Sequence, residues 1–464
     1  MIPVREFLAY VVLASFLGFM LSCSVWDGPS RAWETVKPAI RLDGVFNIEE
    51  QLTKDPDFSN YRPIRTLAGS EFPLDEPQRR TIIVGDIHGK IHPFKKLLST
   101  VAYDSKVDVL VHTGDFMSKS SIKDSLAVLS FMTQYDVVGV RGNHEQKIIE
   151  WRGWITWICS SYEGCRWLRH VEHEWERARH NKQLTPEEFI DSEKQSFGLR
   201  DKRWWKLVPV DWLLFGEHYQ LARAMSETGY QYLLRLPLRL HIPSAHTFVV
   251  HAGLLPSDPR YPYFDAIKQP LARIPKTRNN LEMESADWAK DGNKTERLRM
   301  LQEMAVMAQI PQNMNPWVVL NMRSVKNGKV SRKPDGKNWY KIWDKEMTRC
   351  VGFHGEMKKD KDVEASGEKK RKHDLPCYPA SVFYGHFASQ GLTINRWSFG
   401  LDSGCVYGRQ LSAFVIGGPT LQSFDDGNDS DDTETSGKKK QKNADIFKFG
   451  DRSSGQLVSV NCRT

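Results

Sequence analysis

Five short apolar runs in this chain, rich in β-branched residues, each end at a glycine close to an aspartate, asparagine or histidine. Thr81-Ile82-Ile83-Val84 runs into Gly85-Asp86-Ile87-His88-Gly89, and Val107 to His112 runs into Gly114-Asp115-Phe116. Val137 to Val140 leads to Arg141-Gly142-Asn143-His144-Glu145, Thr247 to Val250 to His251-Ala252-Gly253, and Ser381 to Tyr384 to Gly385-His386. Such runs, bounded by glycine, read as buried strands. Pro93 to Leu98 and Lys123 to Gln134 read as helices between the first three. Strand, helix, strand, helix, strand predicts an α/β layered core, with its chemistry at the carboxyl ends of the strands. Leu392 to Asn395, Leu411 to Ile416 and Leu457 to Asn461 read as antiparallel strands of a second sheet.

The five strand exits present two carboxylates (Asp86, Asp115), one amide (Asn143) and four imidazoles (His88, His144, His251, His386). Metal ligands must arrive rigidly and without backbone crowding, which strand ends beside glycine provide. Asp86 and His88, two apart, can face one ion in an extended turn. Asp115 can bridge two ions through its two oxygens, and Asn143, His251 and His386 would complete the second. Two ions about 3.5–4 Å apart lower the pKa of a shared water and grip phosphoryl oxygens. His144 stands next to a ligand and is placed to protonate a leaving oxygen as general acid. Arg141, Lys119 and Arg323 are candidates to clamp phosphate oxygens, Arg141 within the catalytic group; a purely structural Arg323 is the alternative. The pattern predicts hydrolytic phosphoryl transfer.

The N-terminus gives an address. Phe7 to Val25 is a run of 19 uncharged residues, preceded by Arg5 and followed by Asp27 and Arg31. At about 1.5 Å per residue it spans most of a ~30 Å hydrocarbon core. Residues 1–26 therefore read as a transmembrane signal-anchor of a single-pass type II protein, with a cleaved signal peptide as the alternative. Asn293-Lys294-Thr295 and Asn428-Asp429-Ser430 permit glycosylation in a lumen. Beyond Cys23, an even six cysteines remain, compatible with an oxidising compartment. Cys159 and Cys165 can staple a local loop, and Cys350 and Cys377 can bracket a charged stretch; six free thiols are the other reading.

Residues 27–78 read as a stalk and 79–464 as the catalytic domain, with a helical, aromatic-rich cap inserted at 146–240. Trp204 and Trp205, among Arg200, Lys202, Arg203 and Lys206, belong to that cap's core or to the mouth of the site. Lys-rich 358–373 and the acidic-then-basic 424–443 read as disordered loops between strands. A net charge of +8 favours polyanionic partners without singling out nucleic acid, and none is expected.

The five motifs together resemble the calcineurin-like metallophosphoesterase (phosphoprotein phosphatase) superfamily. His251-Ala252-Gly253 and the stretch Gly400 to Gly408 resemble its ApaH-like branch, related to bacterial diadenosine tetraphosphatases. The resemblance implies a four-layer α/β/β/α sandwich. It implies Asp86, His88 and Asp115 on one ion, Asp115, Asn143, His251 and His386 on the other, and His144 as the acid. In Gly114-Asp115-Phe116-Met117-Ser118-Lys119-Ser120 the sequence departs from the protein phosphatases. Ser118 stands where they carry an aspartate supporting the acid, and Lys119 where they carry an arginine. A lysine is a point charge without arginine's fork. Within the branch, the anchor and inserts resemble fungal vacuolar zinc-dependent endopolyphosphatases. This implies polyphosphate cut within the chain, a vacuole- or lysosome-like lumen, and zinc, although manganese or cobalt suits these ligands equally on chemistry alone. Dinucleoside polyphosphates, capped RNA ends and phosphoproteins are alternative substrates, and an inactive binding module of the same fold is an alternative of another class.

Overall fold

A computed structural model of the chain describes residues 56–463 apart from 75, 77, 197–201, 277–293, 355–373, 418–445 and 452. The apolar run Phe7–Val25, Asn293 of the first sequon, the whole second sequon and both charged inserts lie outside these residues. Among the described residues no helix is long and apolar enough to cross a membrane.

The fold is mixed α/β. One six-stranded sheet has the order β14 (Ile446–Phe449), β15 (Ser453–Asn461), β13 (Gln410–Ile416), β2 (Thr81–Val84), β3 (Val109–His112), β4 (Val138–Gly139). A second has the order β1 (Ile64–Thr66), β5 (Arg239–Ile242), β6 (Thr247–Val250), β10 (Ser381–Tyr384), β12 (Ser398–Gly400), β11 (Thr393–Ile394). In the first, β2, β3 and β4 run parallel, so Asp86, Asp115 and Asn143 leave from one edge. In the second, β6 and β10 are parallel neighbours, and His251 and His386 leave side by side.

Successive strand residues face opposite sides, and both faces of β6 and β10 are used. Val249 and Phe383 turn inward and share a core with Ile83, Val111 and Phe414 of the first sheet. Phe383 lies 4.7 Å from Phe399 and 5.4 Å from Phe414, ring centre to ring centre. Phe248, Val250, Val382 and Tyr384 turn outward against Trp339 and Trp343 of the helix Trp339–Met347 and Val306 of the helix Lys294–Gln309. The helix Ile91–Thr100 packs on β13 and β15 through the far face of the first sheet. Runs apolar on both sides are what strands covered on both faces require.

The stalk boundary needs correcting. Residues 58–78 belong to the folded unit that extends from Phe58 to Thr464. Ile64–Thr66 pairs in parallel with Arg239–His241, and Phe72 is fully buried in the core between the sheets. The cap comprises helices Asn143–Ile158, Tyr162–Lys182, Pro186–Ser196, Lys202–Trp205, Glu217–Ala224 and Glu227–Arg235, and chain residues 239–242 after it are already strand. Trp204 and Trp205 are buried in it beside Trp167, and Arg203 lies over Trp204 while pairing with Glu163. Cys159–Cys165 and Cys350–Cys377 are disulfides, and so is Cys405–Cys462.

Candidate metal centre

The strand exits meet in one buried cluster. Asp86, Asp115 and His251 are almost wholly inaccessible, and His88 and His386 nearly so. His251 Nδ1 lies 2.9 Å from the Thr113 carbonyl and must donate to it, which leaves the Nε2 lone pair pointing inward. That nitrogen lies 3.0 Å from Asn143 Oδ1, 3.2 Å from Asp115 Oδ2 and 3.2 Å from His386 Nδ1. On the other side of Asp115, His88 and His144 approach, with His144 Nε2 3.9 Å from Asp115 Oδ2. Two groups therefore share Asp115: Asp115, His251 and His386, and His88, Asp115 and His144.

Asp86 sits beside both groups. Its Oδ2 accepts the His386 backbone N–H at 2.9 Å and lies 4.0 Å from His88 Nε2, and its Oδ1 accepts from Thr113 Oγ1 at 3.3 Å. The expectation had Asp86, not His144, with His88 and Asp115. The geometry brings all four into one neighbourhood.

The donors fit divalent cations. Nδ1 of His88 and Nε2 of His386 are buried without a hydrogen-bond partner, a costly state unless an ion binds there. Burial, then the Asp402 and Asp115 carboxylates, push Asp86 well above the usual carboxylate range. Burial also opposes the charge on Asp115, but the His251 and His144 imidazoles outweigh it and hold that carboxyl well below its usual range. Burial lowers His88 to about 4, and burial, with His251 next in effect, holds His386 well below the usual imidazole range. Buried, crowded carboxylates with imidazole nitrogens turned toward them are the donor set a divalent cation would need.

The backbone is bent to make it. His88, Asp115 and His386 adopt φ of 48°, 48° and 67°, and Ser118 and Lys119 adopt 68° and 63°. Left-handed conformations outside glycine cost about 1–3 kcal/mol each and collect at functional sites. Glycine is required where these loops touch: a Cβ on Gly385 would collide with Asp86 Oδ1, and one on Gly142 with Asp115 Oδ1.

Three supporting residues carried no assigned role in the sequence. Glu145 is fully buried, and its carboxylate accepts N–H groups of Asp115 at 2.8 Å, Met117 at 3.0 Å and Gly142 at 3.0 Å. Burial and the Asp115 charge push it up to about 7 against those donors. Its place three residues after the helix-capping Gly142 was the available signal. Asp402 is buried beside Asp86, accepts the Gly404 N–H at 3.1 Å, and is raised by burial to about 6. His218, on the helix Glu217–Ala224, brings Nε2 to 2.8 Å from Nδ1 of His144. It is 74 residues away in the chain, with no local spacing to announce it.

The clamp candidates divide. Arg141 is not one. It is fully buried, with Nη1 donating to Asn60 O and Gln146 Oε1 and Nη2 to Leu233 O and Leu234 O. Its guanidinium holds the cap and the segment before β1 together. Arg323 lies at the rim, donating through Nη2 to the His386 carbonyl at 3.0 Å and through Nη1 to Arg332 O at 3.0 Å. Lys119 has an exposed side chain, and its backbone N–H donates to Glu217.

Residues 79–252, which contain the first three motifs and His251-Ala252 of the fourth, match the calcineurin-like phosphoesterase family. The chain carries a calcineurin-like phosphoesterase domain. The chain is 23% identical over 378 residues to the zinc-dependent endopolyphosphatase of Saccharomyces cerevisiae, covering 78% of this chain and 82% of that protein. It is 36% identical over 74 residues to serine/threonine-protein phosphatase 1 of Salmonella typhimurium, a match spanning 16% of this chain and 33% of that one. Among solved structures it resembles a protein assigned as a diadenosine tetraphosphatase, at 20% identity and a TM-score of 0.36, over 76% of this chain and 94% of that one. It also resembles a protein serine/threonine phosphatase from Saccharomyces cerevisiae, at 14% identity and a TM-score of 0.28, over 80% of each chain. At those scores neither structural likeness supports a conclusion about substrate.

Proposed function

We propose that this phosphoesterase is a two-metal endopolyphosphatase built on a four-layer α/β/β/α sandwich. The observation that carries the metal reading is Asp115, whose carboxylate belongs to two buried His/Asp groups at once. Asp86, His88 and Asp115 would hold one divalent ion, and Asp115, Asn143, His251 and His386 the other, with zinc, which the imidazole-rich set accommodates, favoured by the zinc-dependent relative. When bound, the ions supply Lewis acidity toward a water nucleophile and the phosphoryl oxygens. His144, with Nε2 facing the cluster, donates a proton to the leaving phosphate oxygen. Lys119 and Arg323 would draw the flanking phosphates of a polyanion.

The yeast relative supports inorganic polyphosphate as substrate, because the likeness extends over most of both chains rather than over the metal motifs alone. The run Phe7–Val25 would anchor the enzyme in a membrane with its domain in a vacuole-like lumen, and three disulfides suit such a compartment.

Metal content of the purified full chain tests the site. Mass spectrometry should find about two zinc equivalents per wild-type chain, and far fewer in Asp115→Asn, the shared ligand. Equal content in both proteins would remove Asp115 from the site. Parallel assays with polyphosphate, diadenosine tetraphosphate and a phosphopeptide then rank the substrates, and a phosphopeptide turned over faster than polyphosphate would overturn the substrate claim.

A further inference from the structure

We propose that His218 is the positioning partner of His144, holding its ring so that Nε2 and not Nδ1 faces the substrate. The proposal rests on the phosphohydrolase reading above. His144 Nδ1 and His218 Nε2 are 2.8 Å apart, with the rings stacked at 20° and centroids 5.0 Å apart. Two imidazole nitrogens at that distance share one proton, so one must donate and the other accept. An acid that delivers its proton from Nε2 finishes as the Nδ1–H tautomer. Its Nδ1–H must then have an acceptor, and His218 Nε2 is the acceptor in reach. The leaving oxygen takes the Nε2 proton, His144 keeps its Nδ1 proton on His218, and solvent returns the lost one.

Ser118 cannot take this part, because its Oγ is buried with no hydrogen-bond partner. His218, by contrast, is held by a built mount. The preceding residue, Glu217, accepts the Lys119 N–H and so ties the helix to the metal loop. The following residue, Tyr219, packs on Trp151 and Phe215 and donates to Glu172, which also pairs with Arg223 at 2.7 Å. A three-residue segment thus touches the loop, the acid and the cap core in turn. The cap therefore supplies a group to the reaction rather than only a wall.

The test compares His218→Ala and His218→Gln in the full chain, on phenyl phosphate and on 2,4-dinitrophenyl phosphate. The dinitrophenolate leaves without a proton, so assistance from His144 matters only for phenol. His218→Ala is expected to lower kcat on phenyl phosphate by about tenfold to a hundredfold with little change in KM, within the ~10²–10⁴ that general acid catalysis contributes. Turnover of the dinitrophenyl ester should stay within about twofold, because that step bypasses the acid. Glutamine, whose side-chain oxygen can accept from Nδ1–H, should restore much of the loss. In a His144→Asn background, His218→Ala should cost nothing further. Equal losses on both esters, no rescue by glutamine, or additive losses in the double variant would each overturn the proposal. Imidazole ¹⁵N spectra separate this from a failure of the enzyme reading. His144 should be Nδ1–H in wild type and shift toward the other tautomer in His218→Ala, whatever the activity, and an unchanged His144 signal would also overturn it.

Discussion

Replacing Glu145 should loosen the loop from Asp115 to Lys119 without removing any of the candidate ligands. The carboxylate gathers three backbone N–H groups: Oε2 takes those of Asp115 and Gly142, and Oε1 takes that of Met117. In Glu145→Gln the amide oxygen can replace Oε2, but its NH₂ then faces the Met117 N–H. One buried donor is left without an acceptor, at about 1–3 kcal/mol, and the remaining bonds lose their charge assistance. A total loss of about 2–4 kcal/mol is expected. In Glu145→Ala all three donors are orphaned, which costs roughly 3–9 kcal/mol, on the order of a whole domain's stability. The clamp also holds the loop in which Asp115, Ser118 and Lys119 take left-handed backbone, so its loss should let Asp115 relax away from His251. Guanidinium chloride unfolding followed by tryptophan fluorescence gives the stability, and calorimetric zinc titration gives the affinity. A Glu145→Gln protein within about 0.5 kcal/mol of wild type, with unchanged zinc affinity, would refute the idea that this carboxylate shapes the loop.

Other consequences follow from residues away from the cluster. Cys405→Ala with Cys462→Ala opens a loop of sequence separation 57 and should cost about 4 kcal/mol in the chain-entropy model, read as a lower denaturation midpoint. Arg141→Lys should lose about 2–4 kcal/mol of stability because a single ammonium cannot serve four separated carbonyl groups, yet leave KM for the phosphate substrate unchanged; a selective rise in KM would restore it as a clamp. The buried Glu303 carboxylate pairs with His241 at 2.7 Å and His246 at 2.8 Å. Burial works against its charge, but those two partners hold it down to about 2. A depressed carboxyl stabilises the fold above its unfolded pKa and loses that contribution as pH falls. Glu303→Gln should therefore cost about 3 kcal/mol near neutrality, a gap to wild type that closes between about pH 4.5 and pH 2 in urea titrations.

The parts of this molecule that the sequence disclosed are those where local pattern and tertiary environment agree. Thr81–Val84, Thr247–Val250 and Ser381–Tyr384 are strands at the residues expected, because they are apolar on both faces and covered on both. β5 escaped notice because Arg239 and His241 make it look solvent-facing. In the fold, Arg239 donates to the carbonyls of Met307 and Pro63, and His241 meets Glu303, so partners from distant segments make both burials tolerable. The same holds at the site. The carboxylates and imidazoles at strand exits are set by local geometry, so their meeting in one buried cluster could be read off directly. His218 and the Cys405–Cys462 bridge depend on which distant segments meet, which no spacing encodes. Arg141 misled because a cation beside a ligand motif looks like a phosphate clamp until its carbonyl partners are known.

The most direct test of the central claim is a gel-resolved time course of long-chain polyphosphate incubated with the zinc-loaded full chain. Chains of intermediate length should appear early, well before orthophosphate accumulates, and His144→Asn should slow their appearance by about 10²-fold or more. Polyphosphate that keeps its length with zinc, manganese or cobalt, or that releases only orthophosphate from its ends, would contradict the account.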